Sequence, residues 1–246
     1  MDEVQVSTRG LVGLLQDALL STADPKEELP HLTAVLSSAR GLWPTADWDG
    51  ANGGEAGCEP ADLLVATSTS VGMTAQCHTL CQGSLGGPLL VSAVDVGSVV
   101  TVFGALVKGA SKTSAHQTVI SVEGDRVSFR EDPQLVPDGS VITVPTVDAE
   151  EFPRTIPEAL EELDAGPAGM MSVDPAHLAV LAKVAKRRGM PVSWYARSGR
   201  VVVEVGAAYR AALIPLLIEG PGAEGTVVEV FDPGLAGRGE RRLSVV

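Results

Sequence analysis

A unit of one strand, one helix and three strands recurs along this chain. Such repeats constrain a fold strongly, because a unit that cannot cover its own apolar face must pack on its neighbours. In the first copy, about residues 1–80, Val4 to Ser7 alternates as a strand. RGLVGLLQDALLSTA follows with Leu11, Leu14, Leu15, Ala18 and Leu19 at helical spacing, until Asp24-Pro25 breaks it. LTAVLSSAR, DLLVATSTS and MTAQCHT read as strands, the first two separated by the Gly-rich loop DWDGANGGEAG. The second copy, about 87–149, runs PLLVSA as a strand and VDVGSVVTVFGALVKG as a helix with Val96, Val99, Val100, Phe103 and Leu106 on one face. Its hairpin QTVISVEG–DRVSFRED turns at Gly124-Asp125, and SVITVPTVD completes it. The third copy, about 168–218, has the strand AGMMSVD and the helix PAHLAVLAKVAKRRGM. Asp174 caps that helix, Pro175 opens it and Gly189 stops it. PVSWYAR, GRVVVEV and YRAALIPLL are its strands.

The expected fold class is therefore α+β, with repeated β-α-β-β-β units. Two units make a complete domain over 1–150, an acidic, Pro-bearing linker spans 151–166, and a lone unit over 167–220 is half a domain. A Gly/Pro-rich tail with one strand-like run, TVVEVF, occupies 221–246. The chain is 45% hydrophobic but only 4% aromatic, so Val, Leu and Ala must fill the core.

Several chemistries are set aside. Cys58, Cys77 and Cys81 are an odd set and make no disulfide framework. Cys77, His78 and Cys81 have irregular spacing for zinc and lack a second pair of ligands nearby; buried thiols are the alternative. The glycine-rich run at Gly83 to Gly87 precedes a strand, so it cannot present a helix N-terminus to phosphate. His31, His116 and His177 share no pattern, and Glu161-Glu162 belongs to a solvated run. Without a nucleophile-base constellation, no catalytic residue, cofactor or metal is expected and the chain reads as a non-enzyme. No apolar run spans a bilayer and the N-terminus MDEVQVSTRG resembles no signal peptide, so a cytoplasmic protein without membrane contact is expected.

The order of segments resembles the bacterial β-type sliding clamp family, and most closely the short clamp-like proteins of actinobacteria and their phages. DLLVATSTS resembles the strand before that family's Asp-Gly-His-Arg turn, which Ser68-Thr69-Ser70-Val71-Gly72 replaces here. LLVSAVDVGSVVTVF resembles the start of the second helix, and TVISVEGDRVSF the hairpin after it. VDAEEFPRTIP resembles the segment leading into the linker. MMSVDPAHLAVLAKVAK with YRAALIPLL resembles the final half-domain. The likeness covers most of 4–218, and its weight lies in the order of motifs rather than in any one of them. It implies a DNA-clamp fold with helices lining a ring and sheets outside. The implied function is a processivity factor that encircles double-stranded DNA without reading sequence and tethers a DNA polymerase and clamp-loader peptides. The alternative is a clamp-like decoy or regulator that binds clamp partners without forming a ring.

A net charge of -13 argues against nucleic acid unless the basic residues are segregated. They are clustered: Lys183, Lys186, Arg187 and Arg188 crowd the end of the third helix, Lys108 and Lys112 the end of the second, and Arg9 the start of the first. Lys183 and Arg187 share a face at i, i+4. Basic residues at helix C-termini also complement the helix dipole, which is the competing reading. The family's apolar peptide pocket maps onto Ser70, Val71 and Gly72, onto Pro153 and Ile156, and onto Ile214, Pro215, Leu216 and Leu217. The last four equally suit an edge strand of the core. A family ring holds six domains, hence twelve units, so about three units per chain implies a homotetramer ahead of a trimer or dimer.

Overall fold

The computed structural model describes residues 3–22, 34–44, 58–70, 72–109, 116–132, 134–147, 173–197 and 200–214. The first unit is β1 (Glu3–Ser7), α1 (Thr8–Leu20), β2 (Ala34–Pro44), β3 (Cys58–Ser70) and β4 (Met73–Gly83). The second is β5 (Leu89–Val91), α2 (Ala93–Gly109), β6 (Gln117–Glu123), β7 (Arg126–Glu131) and β8 (Val141–Pro145). The third holds α3 (Pro175–Arg188), β9 (Val192–Arg197), β10 (Arg200–Val205) and β11 (Tyr209–Leu213). The described elements follow the repeated order read from the sequence, the first strand of the third unit excepted. Much of the expected strand AGMMSVD, the linker, the tail and the whole DWDGANGGEAG loop lie outside the described residues.

Local chemistry sets the helix ends. The Ser7 side chain accepts from the Gly10 N–H at 3.1 Å to open α1. Ser92 Oγ accepts from the Asp95 N–H at 3.1 Å to open α2. Asp174 accepts from the Ala176 N–H at 2.7 Å, Pro175 sits in the first turn, and Gly189 closes α3 in the left-handed conformation at φ 63°. The cap, opening proline and stop of α3 match the sequence reading residue for residue.

The sheet interleaves the first and second units. Its strands run β5-β2-β3-β4-β1-β6-β7-β8. Each unit's first strand crosses to the other unit: β1 pairs with β6, and β5 pairs with β2. A bridge between Leu90 and Val147 closes the far side. The first strands also lie beside their own unit's end, β1 against β4. Gly83 permits that approach, since a Cβ there would meet the Glu3 carbonyl at 2.3 Å.

β3 and β4 run beyond the expected strands, and β4 does two jobs. The end of β4, Cys81 to Gly83, takes β1, while its start, Met73 to Cys77, takes β11 of the third unit. One strand edge thereby joins the third unit to the first two. Beneath lies a single apolar cluster drawing Leu11, Leu14 and Leu15 from α1, Val96, Val99 and Phe103 from α2, and Leu181 and Val184 from α3. Leu181 and Val184 of α3 are buried, whereas Leu178, three residues before Leu181, is 38% exposed.

Candidate functional site

The helices form a connected layer. α1 packs along α2 on one flank and meets the last turn of α3 on the other. α2 buries Val96, Val99 and Phe103 and exposes Val94, Ser98, Thr101, Ala105 and Lys108, one stripe at alternating steps of four and three. Counted from the capping residues Ser7, Ser92 and Asp174, Arg9 occupies the position of Val94, Lys183 that of Thr101, and Arg187 that of Ala105. Arg9, Lys108, Lys183 and Arg187 therefore lie on equivalent stripes of three similar helices. Lys186 is exposed beside that stripe. Lys112 lies outside the described residues.

Two of the basic residues have a second partner. Arg187 pairs with Asp17 Oδ1 of α1, and Arg188 donates to Asp17 Oδ2 through Nε at 2.9 Å and Nη2 at 2.6 Å. The Asp17 side chain is only 2% exposed, so this carboxylate is buried between α1 and α3. The Arg188 guanidinium stands 5.8 Å from the centre of the Tyr209 ring, and the Tyr209 hydroxyl lies 3.0 Å from Ser21 Oγ. Burial lowers the pKa of both arginines and pushes that of Tyr209 up to about 12, so the phenol stays protonated. Two guanidiniums on one carboxylate leave one net positive charge at the helix end. The sequence reading missed Asp17, which sits among the apolar residues of α1 with its partners far away in sequence.

No protein-family model matches the sequence, and no curated protein matches it. Solved structures do. The DNA polymerase III subunit beta of Pseudomonas aeruginosa superposes with TM-score 0.56 at 11% identity, over 89% of this chain and 66% of that one. The beta subunit from Thermotoga maritima gives 0.58 at 12% identity, over 92% and 68%. The DNA polymerase sliding clamp of Caulobacter crescentus gives 0.56 at 11% identity, over 90% and 67%.

The chain has the sliding-clamp fold. It spans about two thirds of the length of those clamp chains.

Within the sliding-clamp fold, the residues singled out for partner binding come together where they are described. Gly72, at φ 83°, closes the β3–β4 turn, and its carbonyl accepts from the Ile214 N–H at 2.9 Å. Ser70 ends β3 beside it, and Ile214 is 37% exposed. His177 of α3 overhangs the turn, since a Cβ on Gly72 would meet its Cε1 at 3.1 Å. The turn, the end of β11 and the start of α3 thus form one surface. Val71, Pro153, Ile156, Pro215, Leu216 and Leu217 lie outside the described residues.

The cysteines follow the strand period. Cys77 is buried under α1, its thiol directed at the Leu14 and Ala66 carbonyls at 3.5 and 3.7 Å. His78, next on the strand, points to the opposite face, so the pair cannot converge on one ion. No described group of three His, Cys, Asp or Glu could hold a metal. Burial pushes the Cys77 thiol up to about 12 and the less buried Cys81 up to about 11. Since the thiolate is the reactive form, Cys77 is expected to escape iodoacetamide at pH 8 under native conditions while Cys81 is slowly modified. Peptide mass mapping checks this, and rapid loss of Cys77 would show that β4 opens readily.

Proposed function

We propose that this chain is a subunit of a DNA sliding clamp, a ring that encircles duplex DNA and tethers a polymerase and other replication proteins. The observation that carries the reading is the placement of Arg9, Lys108 and Lys183 on equivalent helix stripes in a chain of net charge -13. The superposition on clamps supplies the frame. Lys183, Lys186, Lys108 and Arg9 meet the phosphates, Arg187 adds the residual charge of its pair with Asp17, and Arg188 serves the junction. Phosphate contacts position DNA without reading sequence, as sliding requires, and an acidic remainder repels DNA from other faces.

Tethering falls to the surface of Ser70, Gly72 and Ile214, where an extended peptide would lie. The chain acts as a non-enzymatic scaffold in the cytoplasm, in a closed ring of several copies, four by unit count. No described helix is long and apolar enough to cross a membrane.

Topological binding makes the test. The protein, loaded on nicked circular DNA, should stay bound through a gel-filtration column and be released when the DNA is linearised. Equal retention on both forms would replace encirclement by ordinary adhesion. A monomer that binds polymerase peptides but no DNA would favour the decoy reading.

A further inference from the structure

The complete domain shows what the half-domain lacks. Aligning the second and third units at their hairpins, where Glu123 faces Arg126 and Arg197 faces Arg200, places Trp194 at the position of Ile120. Ile120 is fully buried, because β1 of the other unit lies beside it with Val4 as its partner. Trp194 pairs with Val203, a core residue, and so sits on the core face of its sheet, yet it is 45% exposed. Aligning the helices at Ser7, Ser92 and Asp174 places Leu178 with Leu11 and Val96. Those two are 0% and 1% exposed against 38% for Leu178. Among the described residues β9 pairs with β10 alone. Trp194 thus holds a position that the other unit's first strand covers in the complete domain, and Leu178 one that lies in the interior shared by the first two units.

We propose that a second copy of this chain covers them: the third units of two copies join about a two-fold axis into a domain like that formed by the first and second units. Each supplies what the other lacks, so the contact is self-complementary and closed. The complete domain gives the detail of the seam. There a Cβ on Gly104 of α2 would meet Val12 of α1 at 4.0 Å. The matching positions on α3 are Lys186 and Ala179, so Lys186 of one copy faces Ala179 of the other. The inference deepens the ring reading and rests on it for closure, but the contact itself is testable without DNA.

Sedimentation of the full-length chain at tens of micromolar should give an even multiple of the chain mass. Trp194→Glu with Leu178→Glu should halve it, whereas Leu135→Glu, at an exposed apolar residue away from this face, should not. As a second measurement, Ala179→Cys with Lys186→Cys should oxidise to a disulfide-linked dimer on a non-reducing gel. Seven residues apart on one helix, the pair is ~10 Å apart and cannot bridge within a chain. A monomeric or odd-numbered parent, unchanged mass in the double glutamate variant, or no disulfide between copies would overturn the proposal. If dimers form through this face but circular DNA is not retained, the clamp reading fails and this contact stands.

Discussion

Asp17→Ala is expected to cost about 3–5 kcal/mol of stability, the penalty for leaving a buried charge without its partner, although nothing in its helix position marks it as special. Its carboxylate is the anion that Arg187 and Arg188 share at the junction of α1 and α3. Removing it strands two partly buried guanidiniums beside Tyr209 and Cys77. For a chain of this size the melting temperature should fall by ~10 °C. The loss should be concentrated at the junction, because Asp17 lies where α3 meets α1 and β11 leans on β4 beside it. Hydrogen exchange should therefore quicken in α3 and β9 to β11 before it quickens in β6 to β8. The rescue is diagnostic. Asp17→Leu with Arg187→Met and Arg188→Met replaces the ions by apolar groups of similar bulk, and such swaps are often neutral or stabilising. It should regain most of the loss. An Asp17→Ala protein with unaltered melting would show that the carboxylate carries no weight in the junction.

The repeat was readable because each unit writes its elements in periods that survive without partners. Leu11, Leu14, Leu15 and Ala18 give α1, and Val96, Val99 and Phe103 give α2. Asp174, Pro175 and Gly189 bound α3 through the backbone preferences of those residue types. The Gly124-Asp125 hairpin was equally local. What stayed hidden depends on pairs distant in sequence. Asp17 looks like any helix aspartate until Arg188 arrives from 171 residues away. The strand MTAQCHT was expected to end at Thr79; β1, from the other end of the unit, holds the extension to Gly83 in the sheet. Leu178 fitted the apolar face of its helix, and only the comparison with Leu11 and Val96 shows that its cover is missing. The basic residues were readable as a cluster, but not the division of labour between those that pair with Asp17 and those that face outward.

That division sets the prediction for DNA. Lys183→Glu with Lys186→Glu should weaken retention on circular DNA at least about tenfold at moderate salt, since each lysine at a phosphate releases a counterion on binding. The dependence of binding on salt should become shallower by ~1 for each lysine in contact. Both side chains are exposed and neither is an Asp17 partner, so folding should change by no more than about 0.5 kcal/mol; because Lys186 also borders the proposed contact between copies, the effect counts for DNA only where sedimentation gives the parent's mass. Arg188→Glu must behave differently. It places a carboxylate against Asp17, so it should unfold the junction, and its loss of DNA retention should follow its loss of stability. Arg9→Glu and Lys108→Glu, at the same stripe on the other helices, should each reproduce a part of the lysine effect without any stability cost. The pattern across these variants separates a DNA-facing helix layer from residues that merely complement a helix dipole, because the dipole acts only within the last turn and Arg9 stands at the opposite end of its helix. If Lys183→Glu with Lys186→Glu leaves retention and its salt dependence unchanged, the helix layer does not face the DNA.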